Sequence, residues 1–211
     1  MLTQGSLCTQ QHASSKASHT VVFLRTNLRA SRQTSHTRHM SVRCQSVSTP
    51  DRCYVGIDFG TSGARAMVID DKGKLIAETR QTYGDDKSAS ARAPSWKRAL
   101  FGLLEDIPSE LRSTVASIAI DGTSSTCMLM DDETGELLTT PLMYNEACPE
   151  AAALVGLFAP AGHTVTAATS TLSKLVQWQQ EGAIPTSGTP RLSHQADWLA
   201  FLLHQVQALL C

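Results

Sequence analysis

An aspartate closing an apolar run, followed by glycines and small hydroxyl side chains, is a combination suited to anion and metal chemistry. Residues 58–63 read Asp58-Phe59-Gly60-Thr61-Ser62-Gly63, between Tyr54-Val55-Gly56-Ile57 and Ala64-Arg65-Ala66-Met67-Val68-Ile69. Two glycines let backbone N–H groups approach an anion closely, and Thr61 and Ser62 add hydroxyl donors. Asp58, at the strand end, is placed to hold Mg2+ through its water shell beside the phosphates of a nucleotide. A plain hairpin turn, with Asp58 satisfying backbone donors, fits the same six residues. The combination recurs at Asp121-Gly122-Thr123-Ser124-Ser125, again after an apolar run, Val115 to Ile120. Two such loops can converge on one edge of a sheet, beyond the strand ends where α/β folds bind ligands. Two independent polar turns are the alternative.

The elements that must carry these loops follow from periodicity. Tyr54 to Asp58, Ala64 to Ile69 and Leu75 to Gln81 are expected as three antiparallel strands joined by tight turns, the second turn being Asp70-Asp71-Lys72-Gly73. Residues 84–94, polar and small, are expected as a loop. Ser95 then caps a helix with Trp96, Leu100, Leu103 and Leu104 at helical spacing, and Pro108 ends it. Val115 to Ile120 and Thr126 to Met130 are further strands. Helices are expected over Pro149 to Leu157 and Ser173 to Gln180, and Leu192 to Leu203 reads as strand then helix, with Asp197 near the helix start where a carboxylate is favoured.

Composition limits the alternatives. The chain has 211 residues with 18 Lys+Arg against 19 Asp+Glu and 42% hydrophobic residues, which excludes collagen, coiled coil and a disordered polymer. The longest nearly apolar stretch, Ala151 to Gly162, is broken by Gly156 and Pro160, so no membrane span is expected. Residues 1–50 hold six Lys/Arg, sixteen Ser/Thr and no Asp or Glu. That acid-free, hydroxyl-rich balance, without an apolar signal core, is the composition of an organellar transit peptide; a basic disordered tail that binds nucleic acid or a membrane is the alternative. Residues 1–47 are therefore expected as a disordered chloroplast transit peptide directing the chain to the stroma, with the mitochondrion second. The remainder, mildly acidic, has no basic nucleic-acid footprint. Six cysteines (8, 44, 53, 127, 148 and 211) form no CxxC pair and no zinc spacing, and are expected as buried structural thiols.

Tyr54 to Asp70, YVGIDFGTSGARAMVID, resembles the opening of the FGGY carbohydrate kinases, members of the actin-like ATPase superfamily with a ribonuclease H-like α/β fold. Four further stretches follow in the family's order: IAIDGTSST (Ile118 to Thr126), PLMYNEACP (Pro141 to Pro149), STLSKLVQW (Ser170 to Trp178) and HQADWLAFLLH (His194 to His204). The last three are most similar to the plastid and cyanobacterial D-ribulose kinase branch, xylulose kinase-like. The resemblance covers Arg52 to His204 and implies a first, sugar-binding kinase domain over 52–204, with a mixed sheet flanked by helices.

It further implies ATP and Mg2+ as cofactors and a pentulose as substrate, D-ribulose before D-xylulose. Asp58 falls at the family's acidic group near the metal and the reacting hydroxyl. Gly60, Thr61 and Ser62 fall on the phosphate side, and Ser62, Gly63, Ala64 and Arg65 on the loop lining sugar or phosphate. Thr123, Ser124 and Ser125 match positions touching sugar hydroxyls, and Asn145 and Glu146 stand where an Asn-Asp pair is commoner. Asp197 matches an often acidic position, while His194, Trp178 and Trp198 are expected as packed residues. The family's catalytic base is an aspartate of a second domain that this sequence does not contain, residues 205–211 reading as a divergent tail. The chain is therefore expected to be inactive alone. A noncatalytic sugar-binding or regulatory module, self-associating or docking on a full-length kinase through its exposed interdomain face, is the second reading.

Overall fold

The computed structural model describes residues 22–24 and 49–208, residues 22–24 and 205–208 as backbone only. Alternation sets the main sheet. In β2 (Cys53–Phe59) the odd positions Cys53, Val55, Ile57 and Phe59 are buried, while Gly56 and Asp58 are exposed. The same period of two runs through β3 (Gly63–Asp70), where Ala64, Ala66 and Val68 point inward. With β4 (Leu75–Thr82) these strands form an antiparallel meander, as the sequence predicts, and Gly73 turns the second connection at φ 78°. β5 (Val115–Gly122) returns parallel to β2 on its other side, and with β1 (Val22–Leu24) beyond it the order is β1-β5-β2-β3-β4.

β1 (Val22–Leu24) pairs antiparallel with the outer edge of β5, Phe23 opposite Ala119. It falls within the segment expected to be a disordered leader, in its one apolar run, Val21 to Leu24, whose β-branched and aromatic residues suit an open sheet edge. The rest of that segment, and the 209–211 end of the expected tail, lie outside the described residues.

The inward face is covered by α1 (Arg92–Asp106) and α5 (Gln195–Ala208). Leu100, Leu103 and Ile107 are almost completely buried there, each stabilising by about 1.5–3 kcal/mol relative to exposure. The start of α1 differs from the sequence expectation. A 3-10 turn over Ala89–Ala91 leads straight into Arg92, so the helix begins before Ser95. Pro94 sits in the first turn, where a missing N–H costs no helical bond. Ser95 is an interior residue whose hydroxyl donates to Arg92 O at 2.6 Å, and no side chain caps this end. After α1, the short α2 (Ser109–Arg112) leads into β5.

A second, two-stranded sheet pairs β6 (Cys127–Asp131) with β7 (Pro190–His194). Between them lie α3 (Pro149–Val155) and α4 (Thr171–Gln180). Helix α4 starts two residues earlier than its periodicity suggests, because Ser170 caps it by accepting from Ser173 N. Cys127, Leu129 and Trp178 make a small core of their own. No described helix is long and apolar enough to cross a membrane.

Candidate functional site

The two acid-and-hydroxyl loops meet. In the parallel β2–β5 ladder Asp58 is the direct partner of Asp121 and Phe59 of Gly122, so both loops leave the same ends of adjacent strands. Adjacent strands lie about 4.8 Å apart, and the two carboxylates share the outer face. On the other side of β2, Arg65 is the cross-strand partner of Asp58 and its Nη2 lies 3.1 Å from Asp58 Oδ2, with both side chains about half exposed. An Arg-Asp-Asp row thus crosses three strands at the mouth of the turn. Asp121 Oδ1 also accepts from its neighbour Gly122 N at 2.8 Å.

The 60–62 turn is held from beneath. Gly60 N donates to Gly63 O at 3.0 Å, closing the hairpin, so this N–H, expected on the phosphate side, is spent within the turn. Tyr83 stacks on buried Phe59, donates its hydroxyl to Gly60 O at 2.9 Å and its N–H to Ser62 O at 3.4 Å. Burial, then the charge of Asp58, pushes the Tyr83 phenol well above its ordinary range, so it stays protonated and donating. Thr61 and Ser62 are exposed at the tip, and their N–H groups have no acceptor among the described residues. Two open N–H groups and two hydroxyls beside a carboxylate and a guanidinium can accept a phosphate. Ala64 does not fit its expected place: it falls on the inward phase of β3 and is only 6% exposed, so its methyl belongs to the core. Gly63 has a packing role, since a Cβ there would lie 2.5 Å from Gln81 O.

The second loop is organised by a directed chain of hydrogen bonds. Tyr144 N donates to Thr126 Oγ1 at 3.0 Å, and Thr126 Oγ1 and Thr123 Oγ1 lie 2.6 Å apart. Thr123 Oγ1 is 3.1 Å from Gln195 Oε1, which also accepts Thr123 N at 3.0 Å. A carboxamide oxygen only accepts, so the protons run from Thr126 to Thr123 to Gln195. Thr123, expected to touch sugar, therefore has its donor committed inward. Ser124 remains exposed, and Ser125 adopts φ 58°, the left-handed region. Lys174, completely buried, donates to Ser125 O at 2.6 Å and Met143 O at 2.7 Å. It ties this loop to the 141–146 segment.

In that segment Tyr144 and Asn145 are exposed, and Glu146 departs from its expected role. Its oxygens accept from Arg92 Nη1 and Nη2 at 2.7 and 2.9 Å and from Met143 N at 2.6 Å, so the carboxylate braces the loop. Burial opposes its ionisation, but the bonds from Arg92 and Met143 N and the charges of Arg92 and Lys174 hold it below the ordinary value. Asp197 lies in the first turn of α5 and accepts from His194 N at 3.2 Å, an N-terminal cap. His194 Nε2 lies 3.0 Å from Thr171 Oγ1, and Trp178 and Trp198 are buried, as the sequence reading has them. Cys53, Cys127 and Cys148 are buried free thiols, with Cys127 pushed up to about 11 by burial; cysteines 8, 44 and 211 lie outside the described residues.

Among the described residues no group of three His, Cys, Asp or Glu side chains could hold a metal by itself. Asp58 and Asp121 side by side fit the lighter demand of Mg2+, which takes one or two carboxylates and completes its shell with water and phosphate oxygens. An open pocket of about 580 Å3, lined by Ala93, Lys97, Leu137 and Trp198 among others, includes no residue of either loop.

Sequence reasoning missed Tyr83, Arg92, Lys174 and Gln195. Lys174 left a trace, being four residues before Trp178 on the buried side of an amphipathic helix. The others act through distant contacts that no local pattern announces.

No family model matches the chain. Among solved structures, the xyloylose kinase from Brucella ovis superposes with a TM-score of 0.56 and 20% identity over 71% of this chain and 34% of that one. A carbohydrate kinase from Novosphingobium aromaticivorans gives 0.54 and 19% over 74% and 33%. The Plasmodium falciparum glycerol kinase with ADP gives 0.52 and 13% over 76% and 36%. The matched part thus spans about a third of the length of those structures. The fold is α/β and ribonuclease H-like, the one these solved kinase structures share.

Proposed function

We propose that the chain is the sugar-binding domain of an ATP-dependent FGGY carbohydrate kinase, acting on a pentulose, D-ribulose first and D-xylulose next. The observation that carries this reading is the pairing of Asp58 with Asp121, which puts an anion-ready turn and a hydroxyl-bearing loop side by side at the ends of parallel strands. The shared fold of structures described as xyloylose and glycerol kinases supports it. So do the five motifs in the family's order.

In this reading Ser124, Tyr144 and Asn145 present donors and acceptors to the sugar hydroxyls. Thr61 and Ser62, with Arg65, receive phosphate oxygens, and Asp58 and Asp121 hold the water shell of Mg2+. That ion, when bound, neutralises charge on the transferring phosphoryl group. Phosphoryl transfer depends on positioning both reactants, so catalysis needs the general base and the second phosphate loop of the complementary domain. The acid-free composition of the first fifty residues supports delivery to the chloroplast stroma.

Isothermal titration of the full chain with D-ribulose, D-xylulose, glycerol and MgATP tests the proposal. Pentulose binding that exceeds glycerol binding is expected, with weak nucleotide binding. Absence of heat with either pentulose, at concentrations well above the ~1 mM upper range of ordinary KM values, would overturn it. A second reading, a noncatalytic partner of a complete kinase, is favoured by the outer face of the main sheet. There Gly56 and Met67 are exposed, Met67 to 41%, and Tyr54, Ile69 and Ala119 are half-buried. Stable heterodimers with a complete kinase in sedimentation would support it.

A further inference from the structure

We propose that Lys174 is a positioning residue of the sugar site, its buried ammonium clamping the Ser125 and Met143 carbonyls so that the two sugar-facing segments keep one relative placement. The proposal rests on the sugar reading above and names the part of the structure that holds that site in shape.

The geometry is specific. One nitrogen reaches two carbonyls, at 2.6 and 2.7 Å, that belong to segments far apart in sequence. Each carbonyl is adjacent to an exposed residue of the site: Ser125 follows Ser124, and Met143 precedes Tyr144 and Asn145. Ser125 is the one non-glycine residue with positive φ among those described, a conformation costing on the order of 1 kcal/mol for such a residue. The bond to Lys174 aims the Ser125 carbonyl in that conformation. The Thr126 hydroxyl accepts from Tyr144 N, which belongs to the same peptide unit as the Met143 carbonyl, so a second bond joins the two segments beside the clamp. Lys174 is therefore not needed merely to bring them near each other; it fixes how the two carbonyls are aimed.

The choice of a charged residue points the same way. Lys174 is completely buried on helix α4, and the bonds its nitrogen makes are to carbonyls, not to a carboxylate. Burying a cation without a bonded counter-charge is expensive, and an apolar residue would serve a core better. An ammonium offers three donors in a tetrahedral spread at the end of a long stem, which suits a bridge between two diverging backbone segments.

The test uses the full chain and two variants, Lys174→Met, which keeps the stem and removes every donor, and Lys174→Gln, which keeps an uncharged donor. Hydrogen exchange by mass spectrometry, denaturant unfolding and titration with D-ribulose and D-xylulose are read together. K174M is expected to raise exchange at 122–126 and 142–146 while leaving β2 to β4 at wild-type protection. It should weaken pentulose binding about tenfold or more, with K174Q in between. A folded K174M with wild-type sugar affinity would overturn the clamp. So would exchange raised evenly through the chain, which marks a general core residue. If neither variant folds, Lys174 is a folding requirement and the proposal falls. A wild-type chain that binds neither pentulose fails at the earlier step and takes down the sugar reading itself, an outcome distinct from equal binding by wild type and variant.

Discussion

Replacing Gly63 by alanine tests whether the anion-facing turn is built on a close backbone approach. A Cβ at Gly63 would lie 2.5 Å from Gln81 O and 3.4 Å from Thr82 Cα. The first is well inside van der Waals contact, and both atoms are backbone, so relief requires β3 and β4 to separate at the Gly63–Thr82 pair. Overpacking of this kind costs about 1–3 kcal/mol, and loosening one ladder hydrogen bond adds about 1 kcal/mol, for a total of about 2–4 kcal/mol. Gly60, three residues earlier in the same turn, is the internal control. Its Cβ would meet Gly63 O at 3.5 Å, an ordinary contact, and its φ is not positive. Gly60→Ala should lie within about 0.5 kcal/mol of wild type, or gain slightly by restricting the unfolded chain. Urea unfolding followed by circular dichroism measures both, provided the slope m is unchanged. A G63A midpoint equal to wild type, or a G60A loss as large as that of G63A, would refute the reasoning from close approach and leave the glycines to be explained by ligand contact.

The loops carry four further expectations. Thr126→Val keeps shape but leaves Tyr144 N without its acceptor, and should cost about 1–3 kcal/mol in denaturant unfolding. Ser124→Ala should weaken pentulose binding about tenfold at unchanged stability, whereas Thr123→Val should lower stability, because the Thr123 hydroxyl is committed to Gln195. For the Arg92–Glu146 pair, the partly exposed geometry suggests a coupling of about 1–2 kcal/mol after discounting for solvent screening, measurable by a double-mutant cycle. The folded pKa of Glu146 lies below its ordinary 4.5, so its contribution is present above that value and disappears as pH falls through the folded pKa. Glu146→Gln should accordingly flatten the acid limb of the stability curve relative to wild type.

The β2–β4 meander of the main sheet was legible because β2 and β3 alternate strictly and their turns contain the residues tight turns demand; β1 was not, since it lies in the segment expected to be a leader. The meeting of Asp58 with Asp121 was foreseen as a convergence of loops, because an acidic end on each of two buried strands repeats one local pattern. What could not be read was how each side chain is spent. Thr123 and Ser124 look alike in sequence; only the Gln195 carboxamide, some seventy residues on, makes one a strut and leaves the other open. Glu146 reads as a sugar ligand until Arg92 is found across from it. Ala64 joins the sugar loop in a linear reading and falls into the core once the phase of β3 is counted. The early start of α1 was hidden because Ser95 invites a capping role, while the preceding Ala-rich stretch starts the helix without one.

The small β6–β7 sheet has a consequence for how the site lives in time. Its strands join residues roughly 60 apart in the chain; Cys127 and Leu129 of β6 share a minor core with Trp178, while Met128 and Met130 reach into the main cluster. A pairing that closes so long a loop should form after the local meander. The 123–126 and 142–146 segments adjoin that sheet through the Cys127–Leu142 bridge. On the sugar reading, a ligand held between them is expected to tighten the seam, and Trp178 in the minor core is the fluorescent reporter that checks it.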